Sequence, residues 1–154
     1  MTNPVFFAFE TDFVESLRCI PMIIRMKLDT CGVKLKLEHW NQFNQSEKQT
    51  LVEKPCNTKV EADGYRQWLQ NLIIDKTGKP AKELAIADNP DWLNSAKIPD
   101  STIAKAAELN LVISLQQWAN LSPVQRFALI KLSRPSHENR NFVPALQEFG
   151  IISK

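Results

Sequence analysis

Residues 20–54 align with residues 98–132 without a gap, at an offset of 78. Ile20-Pro21 lies over Ile98-Pro99, Lys27 over Lys105, Leu37 over Leu115, Trp40 over Trp118 and Leu51 over Leu129. Conservative pairs fill the intervals, among them Val33 with Leu111, Leu35 with Ile113, Phe43 with Leu121, Lys48 with Arg126 and Val52 with Ile130. The identities are few, but they fall at proline starts, tryptophans and apolar anchors, where local structure is decided. Gly32 faces Asn110, and glycine and asparagine are the residues that most readily take the left-handed conformation ending a helix. After a one-residue slip, Tyr65, Leu69 and Leu72 match Phe142, Leu146 and Phe149. A match of this length points to one helical unit built twice.

Each half reads as a proline-started helix, two short helices and a final amphipathic helix. In the first half, Pro21 opens a helix that runs to about Cys31, with Ile20, Ile24, Leu28 and Cys31 on one face and Gly32 as its stop. Short helices follow around Glu38 to Phe43 and from Ser46, with Gln49 as capping partner, to Lys54. Thr58 and Glu61 open a longer helix to about Lys76, carrying the apolar stripe Tyr65, Trp68, Leu69, Leu72 and Ile73, and Gly78 closes it. Before all of these, Asp12 and Glu15 make a capping box for a short helix from Phe13. The expected architecture is all-α: a single helical bundle domain over 1–154, with halves at about 20–75 and 98–150 that superpose. The Pro-rich stretch from about 77 to 97 is the linker between them.

Composition narrows the function. A formal charge of +2 is too small for the electrostatic footprint of a nucleic-acid binder. No window reaches the 18 or so consecutive apolar residues of a membrane span, and Met1 to Glu10 has no basic leader region. A cytoplasmic location is therefore expected. Three cysteines without a secretory signal imply reduced thiols rather than a disulfide framework.

Few residues offer chemistry. The four glycines, at 32, 64, 78 and 150, cannot form a phosphate-cradling loop. Only His39 and His137 could act as imidazole bases or ligands, and neither sits in a metal-binding motif. Cys19, Cys31 and Cys56 lack the close pairing usual in zinc and iron–sulfur sites, so buried inert thiols are the plain reading and a redox or metal role the sharper one. Trp40 and Trp118 are expected as core anchors rather than cofactor platforms. The stretch from Arg18 to Lys36 carries Arg18, Arg25, Lys27, Lys34 and Lys36 against Asp29 alone, whereas Ala96 to Ser114 has only Lys97 and Lys105 as basic residues. Duplicated halves need the same core but not the same surface. The charge difference therefore marks the first half as a docking surface for an acidic partner, with a merely solvated helix face as the alternative.

The residues Phe7-Ala8-Phe9-Glu10-Thr11-Asp12-Phe13, Ser16-Leu17-Arg18-Cys19-Ile20-Pro21-Met22 and Arg25 to Leu35 give the chain a family likeness. It resembles the nitrate reductase-associated proteins, a short and mostly cyanobacterial family, over nearly its whole length. The resemblance implies an accessory role: a non-enzymatic protein, without a cofactor of its own, that binds nitrate reductase or its maturation or electron-transfer machinery. It carries over no catalytic residues. Two other readings stand beside it, a cysteine-based redox or metal-carrying module and a generic helical interaction domain.

Overall fold

The computed structural model describes residues 6–10, 20–134 and 140–153. Eight α-helices and no strand are found among them, so the fold is all-α. The helices are α1 (Met22–Cys31), α2 (Leu37–Trp40), α3 (Gln45–Glu53), α4 (Lys59–Thr77), α5 (Asp100–Glu108), α6 (Leu115–Ala119), α7 (Pro123–Leu132) and α8 (Phe142–Glu148). Single 3-10 turns stand at Ala8–Glu10 and Asp91–Leu93. The expected capping box at Asp12 and Glu15 lies outside the described residues. Two compact units divide the chain: one joins Met1–Phe6 to Glu10–Ala87, and the other gathers Phe7–Phe9 with Asp88–Lys154.

In the first unit, α1 starts where proline suits it, since Pro21 holds φ −63° just ahead of the first turn. Proline has no side chain to cap the free N–H groups of that turn. The buried Glu10 carboxylate accepts from the Met22 N–H at 3.0 Å instead. Gly32, at φ +78°, ends the helix, and the N–H groups of Gly32 and Val33 both close on the Leu28 carbonyl. The helix buries Met22, Ile24, Leu28 and Cys31 and packs on α3 and α4. Tyr65, Leu69 and Ile73 of α4 are fully buried, while Trp68 and Leu72 lie partly buried at the edge of the same core.

Two details of the local reading change. The start of α3 is Asn44 rather than Ser46: the Asn44 side chain accepts from the Glu47 N–H while Glu47 accepts from the Asn44 N–H, both at 2.8 Å. Asn44–Glu47 and Ser46–Gln49 have the same spacing, and the box two residues earlier gives the helix its first turn. The stretch from Thr77 to Pro99 is shared between the units. Residues 82–84 run antiparallel to residues 32–34 through Lys34 N–H to Lys82 O (2.9 Å) and Leu84 N–H to Gly32 O (2.7 Å), around an isolated bridge between Val33 and Glu83. The turn at Asp91–Leu93 packs on α7.

In the second unit, α7 is the central helix. Phe127 to Ile130 and Leu132 are all buried, so it meets neighbours on most of its circumference. Trp92 stands edge-on to Phe127 at 5.1 Å, and Phe142 and Leu146 of α8 complete the core. Phe7 and Phe9 stack at 5.3 Å and both meet Phe149 edge-on, while the Glu148 carboxylate accepts from the Ala8 and Phe9 N–H groups.

Helix order and caps recur at the offset of 78. Asn110 takes φ +58° after α5, and the Leu111 N–H reaches the Ala106 carbonyl as that of Val33 reaches Leu28. Ser122 and Gln125 form the capping box of α7 as Asn44 and Glu47 form that of α3. Trp40 and Trp118 are 1% and 0% exposed, the core anchors expected of them. The final helices differ, since α8 has 7 residues against 19 in α4.

Tyr65 should make the first unit sensitive to alkali. Its hydroxyl donates to the Leu51 carbonyl at 2.7 Å, and burial raises the phenol far above the ordinary tyrosine range, with Cys31 and Cys56 adding to the effect. An unfolded chain loses this proton near pH 10.0, while the folded chain keeps it. The stability that the phenol contributes is therefore complete below that pH and falls as pH rises through it. Tyr65→Phe should cost about 1 kcal/mol at neutral pH through the lost hydrogen bond, and it should lose less stability than the parent between pH 9 and 11. Urea midpoints for both proteins across that range are the measurement, and parallel losses would assign the alkaline transition to another group.

Candidate functional site

The basic stretch and the cysteines converge on the first unit, around the end of α1. Arg18 and Cys19 lie outside the described residues. Arg25 is half-buried and its Nε donates to the Ile20 carbonyl at 2.8 Å. Lys27, counted in the sequence with the surface charges, turns inward. Its ammonium donates to the carbonyls of Val52 (2.5 Å) and Lys54 (2.7 Å) at the end of α3, and it stands 5.8 Å from the centre of the Tyr65 ring. A cation there satisfies carbonyls that a helix end leaves open. Burial lowers the pKa of Lys27, and the neighbouring Cys56 works against that shift.

Lys34 and Lys36 are exposed. Lys36 Nζ is 3.9 Å from a Glu38 carboxylate oxygen, a pair open to solvent on both sides and so weak. The antiparallel bridge sets Lys34 directly opposite Lys82, which is also exposed. Lys82 is a member of the basic group that no sequence window around α1 could contain, because a backbone pairing some 50 residues long-range brings it there. Like charges directly opposite each other on paired backbones are destabilising. Arg66 of α4 is a second addition: it donates to the Cys31 carbonyl and pairs with Asp63 at 3.0 Å.

Beneath this surface, Cys31 and Cys56 come together. Cys31 is the last residue of α1 and Cys56 precedes α4; both are buried and free. Their S–H groups donate to carbonyls one residue apart in α1, Cys31 to Leu28 at 3.7 Å and Cys56 to Lys27 at 3.6 Å, which brings both thiols to the same end of the helix. Interaction with the Cys56 thiol, with burial, pushes Cys31 far above the usual thiol range. For Cys56 it acts the other way, and with help from the Lys27 ammonium it outweighs burial and holds the thiol below that range. Among the described residues, no group of three or more His, Cys, Asp or Glu side chains is placed to hold a metal ion. His39 serves as a cap, its Nδ1 accepting from the Lys36 N–H at 3.1 Å. His137 lies outside the described residues.

In the second unit, Arg126 occupies the place of Lys48. Both are buried, Lys48 with its ammonium 4.9 Å from the Trp40 ring and Arg126 with its Nε on the Trp92 carbonyl at 2.9 Å. A polar pocket of about 270 Å³ is lined by Asp91, Asn94, Lys97, Pro99, Asp100 and Ser101. It brings together two carboxylates, one ammonium and the Ser101 hydroxyl.

No helix among the described residues is long and apolar enough to cross a membrane. A family model described as conserved nitrate reductase-associated protein matches residues 6–149. No curated protein and no solved structure matches the chain.

Proposed function

We propose that this chain, which belongs to the conserved nitrate reductase-associated protein family, is a non-enzymatic accessory protein that supports nitrate reductase by binding. Its partner is the reductase or the machinery that matures it, loads its cofactor or delivers its electrons, and it works in the cytoplasm. The docking surface consists of Lys34, Lys36 and Lys82. The observation that carries this reading is the placement of Lys34 opposite Lys82. Two exposed lysines held face to face repel each other, so folding gains nothing from them, and an acidic partner turns the repulsion into attraction. Arg25 and Lys27 are committed to carbonyls within the fold and are left out of this surface.

The triple substitution Lys34→Glu, Lys36→Glu and Lys82→Glu tests the surface. All three side chains are exposed, so helical content and melting temperature should hardly change. Affinity for purified nitrate reductase should fall by roughly 10–100-fold at low ionic strength, and the difference should shrink as salt is added. Unchanged binding at low salt would remove this surface from the function.

We also infer that the halves descend from a duplicated helical unit, since their caps and anchors recur in order. Two cores of common origin should respond alike when Trp40 and Trp118 are truncated.

A further inference from the structure

We propose that Cys31 and Cys56 form an oxidation site: a hydroperoxide is reduced at Cys56, and Cys31 resolves the product into a reversible disulfide. Three features of the fold support it. The two thiols, about 25 residues apart in sequence, are brought together where the end of α1 meets the start of α4, their S–H groups seated on the adjacent carbonyls of Leu28 and Lys27. The Lys27 ammonium stands by Cys56, held in place by two carbonyls, and stabilises negative charge on that sulfur. Cys56 keeps 5% of its surface open and Cys31 none, so a small oxidant meets Cys56 first.

The chemistry closes on these two residues and the peroxide. The Cys56 thiolate attacks one peroxide oxygen, the O–O bond breaks, and the sulfur becomes a sulfenic acid while the departing oxygen leaves as water or an alcohol after taking a proton. The Cys31 sulfur then attacks the Cys56 sulfur and gives up its proton. The S–S bond forms, the S–O bond breaks, and the hydroxide leaves as water. Two thiols have lost two electrons and the peroxide has gained them. A dithiol reductant reverses the step by exchange. The site is separate from the lysine surface, and its test does not depend on any partner.

The experiment uses the full chain with Cys19→Ser, so that only these two thiols remain of the three cysteines, alongside the unsubstituted protein. The folded protein is treated with hydrogen peroxide, quenched, unfolded in urea, alkylated and mapped by peptide mass. The expected result is a peptide pair joined through Cys31 and Cys56, absent after dithiothreitol, with the oxidised protein melting about 5–10 °C higher because the unfolded chain is constrained. Adding Cys31→Ser should leave a sulfenic acid on Cys56 that dimedone traps, while Cys56→Ser should slow oxidation of Cys31 at least tenfold. Two thiols still open to alkylation, under peroxide that fully oxidises a free cysteine peptide, would overturn the proposal. A cross-link with equal oxidation rates in the two single variants would overturn the order of attack. Should either variant fail to fold, the peptide map of the Cys19→Ser protein decides by itself.

Discussion

Replacing Trp118 with alanine should cost on the order of 3–5 kcal/mol, and replacing Trp40 should cost a similar amount. Trp118 is wholly buried, and its indole N–H donates to the Asn94 carbonyl at 2.9 Å, so truncation opens a cavity and also strands an acceptor. Trp40 makes no smaller contribution, because it stands edge-on to Phe43 at 6.3 Å and lies beneath the buried Lys48 ammonium. Without the ring, that cation faces a void instead of the negative face of an indole. Small proteins have only about 5–15 kcal/mol of stability, so either loss should lower the urea midpoint sharply. The measurement is urea unfolding followed both by helical signal and by the fluorescence of the remaining tryptophans. A cost below about 1 kcal/mol at either position would mean that its ring is not a core anchor. Clearly unequal costs would count against a common origin for the two halves.

Gly32→Ala should cost about 2–4 kcal/mol, far more than the same change at the other helix-ending glycines. Gly32 has φ +78°, where a side chain is strained in any surroundings. A Cβ there would also stand 2.8 Å from the Leu84 carbonyl oxygen and 2.8 Å from Ile86 Cγ1. The carbonyl is backbone and cannot swing aside, so the paired segment 82–84 must move away and the bridge to Val33 must loosen. Gly78 and Gly150 share the left-handed conformation, at φ +88° and +76°, but have open space where a Cβ would go. Alanine at either should cost about 1 kcal/mol from backbone strain alone. Faster hydrogen exchange at the Lys34 and Leu84 amides in Gly32→Ala would locate the damage at the bridge. Equal costs at all three glycines would show that the close approach carries no energy.

Much of the fold was legible because its punctuation is local. Pro21, Pro99, Gly32, Asn110 and the Thr58–Glu61 box each fix a backbone angle or satisfy a nearby N–H, and a reader of sequence sees all the atoms involved. The cap of α3 was misplaced because two boxes of equal spacing overlap, and only the packed helix chooses between them. The site was less legible for a different reason. A count of charges from Arg18 to Lys36 treats each lysine alike, yet Lys27 donates to carbonyls at the end of another helix while Lys34 faces solvent. Lys82 and the Cys31–Cys56 contact arise from pairings distant in sequence, which no spacing rule encodes.

The aromatic clasp at Phe7–Phe9 bears on how the protein is made. The N–H groups of Ala8 and Phe9 are synthesised 140 and 139 residues before the Glu148 carboxylate that accepts them, and Phe7 and Phe9 wait as long for the Phe149 ring. During translation, while helices α1 to α4 have every partner of their own core within reach, this early segment stays without its permanent neighbours until the last helix has left the ribosome. An affinity tag placed ahead of Phe7 therefore sits beside contacts that form late, and for this chain the gentler place for a fusion is elsewhere.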